Sequence, residues 1–249
     1  MSPTSSSDRS SPSSLPTGPA RRDELAVRLA AVRQRIFAAC DAAGRDAGDV
    51  TLIAVTKTHP ASDVRLLAGL GVCDIGENRD AEAAPKVAQC ADLSLTWHFI
   101  GQLQTNKCAS VARYAAVVHS VDRTRLIRAL GAAARRAERV IDCLVEVSLD
   151  SDPARGGAPE AEVAPLAEAL AAEPGLVLRG VMAIAPLGMA PERAFAKLGE
   201  CAQLVRAVSP AATMISAGMS GDLEAAVAAG ATHLRIGTAL LGDRGPRVR

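Results

Sequence analysis

The thirty residues "TMISAGMSGDLEAAVAAGATHLRIGTALLG" (213–242) contain two short apolar segments separated by an Ala-rich stretch. The first segment, Thr213–Ser216, is followed two residues later by Gly218, and the second covers Leu234–Ile236. The stretch between them has the composition of a helix. A strand, a helix and a second strand in this order are typical of a βαβ unit, in which the two strands run parallel.

The same alternation extends back towards the N-terminus. Six further apolar segments are predicted to be strands: Leu52–Val55, Val72–Ile75, Leu95–Ile100, Val117–Val121, Asp142–Ser148 and Leu176–Ile184. Eight strands with helical spacers within about 200 residues fit a closed barrel. An open doubly wound sheet is the alternative, but its phosphate fingerprint, G-x-G-x-x-G after the first strand, is absent. We therefore predict an α/β fold with a single (β/α)8 TIM-type barrel.

An extra helix is predicted before the first strand, over residues 21–44. Its apolar residues recur at helical spacing and form one face: Leu25, Leu29, Val32, Ile36 and Phe37. Residues 1–20 are Ser or Pro at twelve positions, a composition that cannot bury enough apolar surface to fold. We expect a disordered tail over 1–20 and one barrel domain over 21–249.

Composition excludes several functional classes. The formal net charge is only +1, so the chain has no overall field that would attract nucleic acid. No apolar run approaches the ~18 residues that suggest a membrane span. The six cysteines include no C-x-x-C pair, so we expect reduced thiols and no metal site, with Cys73 and Cys143 acting as small hydrophobic residues in strands. These features predict a cytoplasmic protein.

Lys57 follows the first predicted strand, "TLIAV" (51–55), at the end where barrel proteins place their chemistry. It shares a strand face with Ile53 and Val55, so an inward face would point Lys57 towards the barrel mouth. A partly desolvated lysine is a nucleophile towards carbonyl groups. The alternative is a solvated loop lysine.

The loops after strands 7 and 8 are the usual phosphate site of this architecture. In the first loop Gly218 permits a sharp turn and Ser220 is expected to cap the helix that follows. In the second loop Gly237 and Thr238 offer a backbone edge and a hydroxyl. Exposed N–H groups at such helix starts favour an anion. Ordinary capped helices are the alternative.

Arg235 lies within the last predicted strand, on the face opposite to Leu234 and Ile236. A strand covered on both sides tolerates an arginine only beside a polar partner. That partner is either an internal carboxylate or a ligand atom. A lysine, a phosphate site and a buried cation together suggest an imine with a phosphorylated aldehyde. Binding of pyridoxal 5′-phosphate (PLP) and a sugar-phosphate aldolase both fit, and the spacing does not separate them.

Seven stretches in order resemble the pyridoxal phosphate homeostasis proteins, which are similar to the barrel domain of alanine racemase. They are "LIAVTKTHP", "IGEN", "WHFIGQLQTNK", "HSVDR", "RGVMAI", "SAGMSGDLEAAVAAG" and "RIGTALLG". The resemblance implies a fold-type III PLP barrel with Lys57 as the Schiff-base lysine. It places Arg235 against the pyridine nitrogen, Asn78 beside the ring and a basic loop residue at Arg155. It also implies a set of residues around the cofactor phosphate: Ser216, Gly218, Ser220, Gly237 and Thr238.

The expected function is therefore intracellular PLP homeostasis, in which the protein holds PLP and supplies or buffers it. Apo forms of PLP-dependent enzymes are candidate partners, and we expect a monomer. A PLP-dependent amino-acid racemase is the alternative, but it needs a second acid or base, which the racemases take from a further domain. Only seven residues follow Gly242, Tyr114 is expected away from the mouth, and His98 and His119 are expected to be hydrogen-bonded core residues. We expect no catalytic residues.

Overall fold

The computed structural model describes residues 18–150 and 156–242. In this part of the chain eight parallel strands form a closed barrel, in which each strand pairs with the next and β8 pairs with β1. The strands are β1 (Thr51–Val55), β2 (Asp74–Glu77), β3 (Thr96–Phe99), β4 (Val117–Val121), β5 (Ile141–Glu146), β6 (Leu176–Met182), β7 (Met214–Ser216) and β8 (His233–Ile236). All eight overlap the predicted segments, and the predicted (β/α)8 barrel is confirmed.

Helices connect the strands on the outside of the barrel. They are α2 (Ala61–Gly69), α3 (Asp80–Gln89), α4 (Cys108–Val111), α5 (Thr124–Arg136), α6 (Glu160–Ala171), α7 (Pro191–Val208) and α8 (Leu223–Ala228), with α9 (Thr238–Leu241) after the last strand. Each connection returns the chain to the same end of the barrel. The carboxyl ends of all eight strands therefore surround one mouth.

The predicted extra helix, α1 (Pro19–Ala42), precedes β1. Proline is well tolerated in a first helical turn because the N–H it lacks has no helical partner there. The buried face contains four of the five predicted residues: Leu25, Leu29, Val32 and Ile36. The prediction for Phe37 is wrong, since its side chain is 64% exposed. The predicted disorder of residues 1–20 falls mainly on 1–17, which lie outside the described residues.

Buried and half-buried arginines bind α1 and the segment after it to α2, α8 and α9, on both sides of the place where β8 pairs with β1. Arg21 is buried, and its guanidinium donates to a carboxylate oxygen of Asp63 at 2.8 Å and to the carbonyl oxygen of Leu241 at 3.0 Å. Arg45 donates to the carbonyl oxygens of Val227 and Ala231 at 2.7 and 2.9 Å. The extra helix thus supports the region where the barrel closes.

The core has two parts, as a parallel barrel requires. Outward-facing strand residues pack against the helices in one large apolar cluster. Inside the barrel, Val117, Leu144 and Met182 form a smaller apolar group. Much of the remaining interior is polar, including Arg235 and the two histidines His98 and His119. Polar residues this deep need hydrogen-bond partners, and those partners define the candidate site.

Two predictions about the first half of the barrel need correction. Strand β2 begins at Asp74, two residues later than predicted. Val72, which was read as the start of the strand, is buried in the segment that precedes it. Cys73 consequently lies before β2 and is exposed, whereas Cys143 is buried in β5 as predicted. All six cysteines are free. Among the described helices, none combines the length and apolar character needed to cross a bilayer.

Candidate functional site at the barrel mouth

The predicted site residues come from four strand ends that meet at the barrel mouth. Lys57 follows β1 by two residues and Asn78 follows β2 directly. Ser216 ends β7, and Arg235 lies in β8 one residue from its end. Strand β1 pairs with both β2 and β8, with Ile53 opposite Arg235. The register therefore puts the Lys57 segment between the strand that precedes Asn78 and the strand that holds Arg235.

Arg235 is the buried cation of the site, with 4% of its surface exposed. Its Nη1 donates to the hydroxyl oxygen of Ser216 at 2.7 Å, and its Nη2 donates to the carbonyl oxygen of Ala183 at 2.8 Å. Burial lowers the pKa of Arg235 to about 10, against the opposing effect of nearby carboxylates. The guanidinium is still charged at neutral pH. Both partners are neutral oxygen atoms, so of the two alternatives the internal carboxylate is not among its hydrogen-bond partners.

The hydroxyl of Ser216 faces the barrel interior. It is fully buried, accepts from Arg235 and lies 2.9 Å from Nδ1 of His119. A serine hydroxyl with these two neighbours has its donor and one lone pair engaged. The resemblance implied a contact between Ser216 and a phosphate, and the structure gives this hydroxyl different partners.

Lys57 is half-buried and sits in a turn that is fixed on both sides. Before it, the buried hydroxyl of Thr56 donates to a carboxylate oxygen of Glu77 at 2.5 Å. Lys86 forms an ion pair with that carboxylate and donates to the Thr56 carbonyl oxygen at 2.8 Å. After it, Thr58 has a φ of 67°.

The positive φ of Thr58 is an uncommon conformation for a β-branched residue. Its N–H donates to a carboxylate oxygen of Glu82 at 3.0 Å, which helps to hold the turn. Such backbone strain persists only where the surroundings determine it, and it concentrates at functional sites. The lysine backbone is therefore placed by neighbours on both sides and not by a free loop.

The two loops after β7 and β8 are joined to each other. Gly218 has a φ of 89°, and a Cβ there would lie only 2.6 Å from the Cβ of Ala226, so the turn requires glycine. The hydroxyl oxygen of Ser220 accepts from the N–H of Ala239 at 3.1 Å. The prediction that Ser220 caps the helix after β7 is wrong, because α8 begins after Asp222 and Ser220 bonds to α9 instead.

Asp222 places a carboxylate beside these loops. Its carboxylate accepts from the N–H of Met219 at 2.5 Å, within its own turn. Gly237 precedes α9 directly, and Thr238, the first residue of α9, is exposed. Backbone N–H groups and hydroxyls of this type bind phosphate oxygens. The predicted loop residues are thus brought together at the mouth, and Arg155 lies outside the described residues.

Asn78 is held at the mouth by a close backbone approach. An added Cβ at Gly101 would lie 2.1 Å from the Asn78 carbonyl oxygen, so only glycine fits opposite it. Asn78 also lines a cavity of about 370 Å³ together with Gln102 and Lys107. The amide therefore belongs to the polar rim of the mouth.

Glu146 is a mouth residue that the sequence interpretation missed. It ends β5, is 9% exposed, and its Oε2 has no hydrogen-bond partner among the described residues. Burial, followed by the charge of Asp122, raises the pKa of Glu146 to about 7. Leu144 and Glu146 share a strand face, so the alternation used for Arg235 could have identified this inward carboxyl group.

The histidines expected in the core are confirmed there. His98 and His119 are buried, and their ring nitrogens lie 2.9 Å apart. His233 is the first residue of β8, at the end of the barrel opposite the mouth. Nδ1 of His59 lies 3.5 Å from a carboxylate oxygen of Asp63.

Within the described residues, no group of three His, Cys, Asp or Glu side chains could hold a metal ion.

The chemistry of the site fits a phosphorylated aldehyde. The mouth offers an amine at Lys57, a buried cation at Arg235 and two joined loops rich in N–H and hydroxyl groups. The unpartnered Glu146 oxygen is a buried acceptor that a ligand donor would satisfy. An amine forms an imine with an aldehyde, and the loops provide donors to a phosphate.

Comparison with known proteins gives consistent matches over nearly the whole chain. The family model described as "Alanine racemase, N-terminal domain" matches residues 27–245. The pyridoxal phosphate homeostasis protein of Mycobacterium tuberculosis is 44% identical, covering 91% of this chain and 95% of the relative. The structure of PipY from Synechococcus elongatus with PLP bound has a TM-score of 0.77 and 35% identity, covering 88% of this chain and all of PipY. A protein from Bifidobacterium adolescentis, described as unknown, has a TM-score of 0.84 and 30% identity, covering 90% of this chain and 97% of its own.

Proposed function

This chain belongs to the pyridoxal phosphate homeostasis protein family, and we propose that it holds PLP at the barrel mouth and supplies or buffers it in the cytoplasm. PLP supplies an aldehyde that condenses with a primary amine and releases water. Lys57 is the residue proposed to hold it. The protein acts as a carrier in this proposal, without a strong catalytic activity of its own.

The observation that carries the proposal is the buried Arg235 at the end of the barrel. A guanidinium only donates hydrogen bonds, so beside the pyridine nitrogen it keeps that nitrogen unprotonated. An unprotonated ring is a weak electron sink and does little to stabilise a carbanion. Arg235 therefore favours storage of the cofactor over chemistry on a bound amino acid.

The remaining residues have distinct proposed roles. Asn78 lies beside the ring, and Gly218, Ser220, Gly237 and Thr238 receive the phosphate. Ser216 supports Arg235 from within the barrel, because its hydroxyl is engaged there. The bond from Ala239 to Ser220 keeps the two phosphate loops at a fixed separation.

We further propose that the protein works as a monomer and that apo forms of PLP-dependent enzymes receive the cofactor. Light scattering is expected to give a mass near 25.6 kDa, the mass of one chain. A mass twice as large would contradict the monomer.

Transfer to an apo-enzyme tests the carrier role. The protein is incubated with PLP, desalted, and mixed with an apo PLP-dependent enzyme whose activity is followed. The unsubstituted protein and a Lys197→Ala control are expected to restore activity, and Lys57→Ala treated in the same way is not. Equal restoration by Lys57→Ala, or rapid racemisation of alanine or serine by the loaded protein, would contradict the proposal.

A further inference from the structure

A continuous chain of side-chain hydrogen bonds runs through the barrel interior from the mouth towards the opposite end. Arg235 Nη1 is 2.7 Å from Ser216 Oγ, which is 2.9 Å from His119 Nδ1. His119 Nε2 is 2.9 Å from His98 Nδ1. His98 Nε2 is 3.0 Å from a carboxylate oxygen of Asp74. Five residues from five strands thus connect a buried cation to an acidic residue at the start of β2.

With both histidines neutral, the two ends of the chain fix the direction of every hydrogen bond in it. The Asp74 carboxylate can only accept, so His98 carries its proton on Nε2 and accepts at Nδ1. His119 must then donate from Nε2 and accept at Nδ1, where the Ser216 hydroxyl donates. The Ser216 oxygen accepts from Arg235, which can only donate. In this arrangement both rings carry their proton on Nε2, and no donor meets another donor.

The surroundings of His119 and His233 favour the neutral form of both rings. His119 is fully buried, and burial lowers its pKa well below the ordinary value, with Arg235 and the neighbouring histidines acting in the same direction. The ring of His233 lies 6.4 Å from that of His98, and burial lowers the pKa of His233 to about 4. Arg235 is charged at neutral pH, and Glu146 lies near it at the mouth.

Asp74 gives the chain access to the other end of the barrel. Its side chain is 29% exposed, and it lines a cavity of about 680 Å³ together with Arg33, Phe37 and Cys73. Oriented dipoles in a medium of low dielectric constant polarise one another, so a carboxylate at one end stabilises a cation at the other. Asp74 is in this way linked to Arg235, although the two do not touch.

We propose that Asp74, His98 and His119 are positioning residues for the PLP site, acting through Ser216 to orient and stabilise Arg235 at the cofactor ring. This inference rests on the proposed function, because it assigns Arg235 to the ring nitrogen. Neutralising Asp74 at the far end of the barrel weakens PLP binding at the mouth.

Nitrogen NMR of ¹⁵N-histidine-labelled protein tests the chain without any cofactor. His98 and His119 are both expected as neutral, Nε2-protonated rings in the unsubstituted protein. Asp74→Asn gives His98 a partner that can donate as well as accept, so both histidine signals are expected to shift. An Nδ1-protonated or charged ring at either position in the unsubstituted protein would overturn the inference.

PLP titration then tests the link to the cofactor site. Asp74→Asn is expected to weaken PLP binding threefold to tenfold, and the exposed control Asp92→Asn less than twofold. In a Ser216→Ala background, which breaks the chain, Asp74→Asn is expected to add less than a twofold effect. Equal effects of Asp74→Asn in both backgrounds, or no effect in either, would overturn the positioning role.

The two assays separate failure of the inference from failure of the proposed function. If the unsubstituted protein does not bind PLP, the proposed function and the positioning role both fall, and the NMR result still reports whether the chain exists. If PLP binds and Asp74→Asn changes nothing, only the positioning role falls.

Discussion

The Ser220 hydroxyl oxygen accepts a hydrogen bond from the N–H of Ala239 and joins the loop after β7 to the first turn of α9. Arg35 of α1 donates to the carbonyl oxygen of Ser220 at 3.1 Å and forms an ion pair with Glu224. The extra N-terminal helix thus holds the outer side of the loop pair proposed to bind phosphate. The loops are set by contacts that exist before any ligand arrives.

Removing the Ser220 hydroxyl should therefore weaken ligand binding more than folding. Ser220→Ala loses one hydrogen bond, worth about 1 kcal/mol, and lets the two loops separate. PLP titration is expected to show an affinity roughly fivefold lower, while the thermal unfolding midpoint falls by only about 2–4 °C. The exposed Ser94→Ala serves as the control and should change neither quantity. Unchanged PLP affinity in Ser220→Ala would contradict a role for the loop pair.

Replacing Thr58 by glycine should increase the stability of the protein and weaken its binding of PLP. The Thr58 φ of 67° is strained for threonine and relaxed for glycine, so Thr58→Gly should raise the free energy of unfolding by about 0.5–1 kcal/mol. The same change loosens the turn that holds Lys57, so PLP should dissociate faster. Chemical denaturation and PLP release after dilution measure the two effects.

Thr58→Asn separates strain from flexibility at this position. Asparagine tolerates a positive φ but is less flexible than glycine, so it should relieve strain without speeding PLP release. Loss of stability in both variants would show that the Thr58 conformation is not strained.

The raised pKa of Glu146 should make the stability of the protein depend on pH. Burial raises the folded-state pKa from 4.5 to about 7, so the folded state binds the proton more tightly than the unfolded chain. Between these values the folded protein holds more protons, and its stability falls as pH rises. Above pH 7 the buried charge costs on the order of 2–3 kcal/mol.

The neutral variant Glu146→Gln should remove this dependence. Relative to the unsubstituted protein, its thermal midpoint should be similar near pH 4.5 and higher above pH 7. Glu168→Gln, which changes an exposed carboxylate, is the control and should show no such difference. A Glu146→Gln difference that is constant from pH 4.5 to pH 8 would contradict an ionisable buried group.

The sequence was sufficient for the barrel and for the parity of its last strand. Alternation of apolar segments predicted all eight strands, and strand parity placed Arg235 on the face opposite to Leu234 and Ile236. Local patterns determine these features, since a strand's two faces differ every second residue. Phe37 shows the limit of such patterns, because it follows Ile36 directly in α1 and the turn between them rotates it out of the buried face.

Contacts between residues far apart in the sequence could not be predicted from the sequence alone. Ser216 and His119 are 97 positions apart, and their bond depends on the register of the closed barrel. Apolar periodicity does not determine that register. Ser220 was likewise predicted to cap the helix after β7, because a partner close in the sequence is the simplest expectation. In the folded chain its hydroxyl is instead bonded to the first turn of α9. Sequence reasoning therefore predicted the residues of the mouth better than their hydrogen-bond partners.

The central claim is that Lys57 holds PLP, and borohydride reduction followed by peptide mass mapping tests it most directly. The chain has four lysines, Lys57, Lys86, Lys107 and Lys197, so every site can be assigned. The account predicts a phosphopyridoxyl group on the peptide containing Lys57 and none on the other three after incubation with equimolar PLP. No adduct on Lys57 in excess PLP, or modification spread evenly over the four lysines, would contradict it.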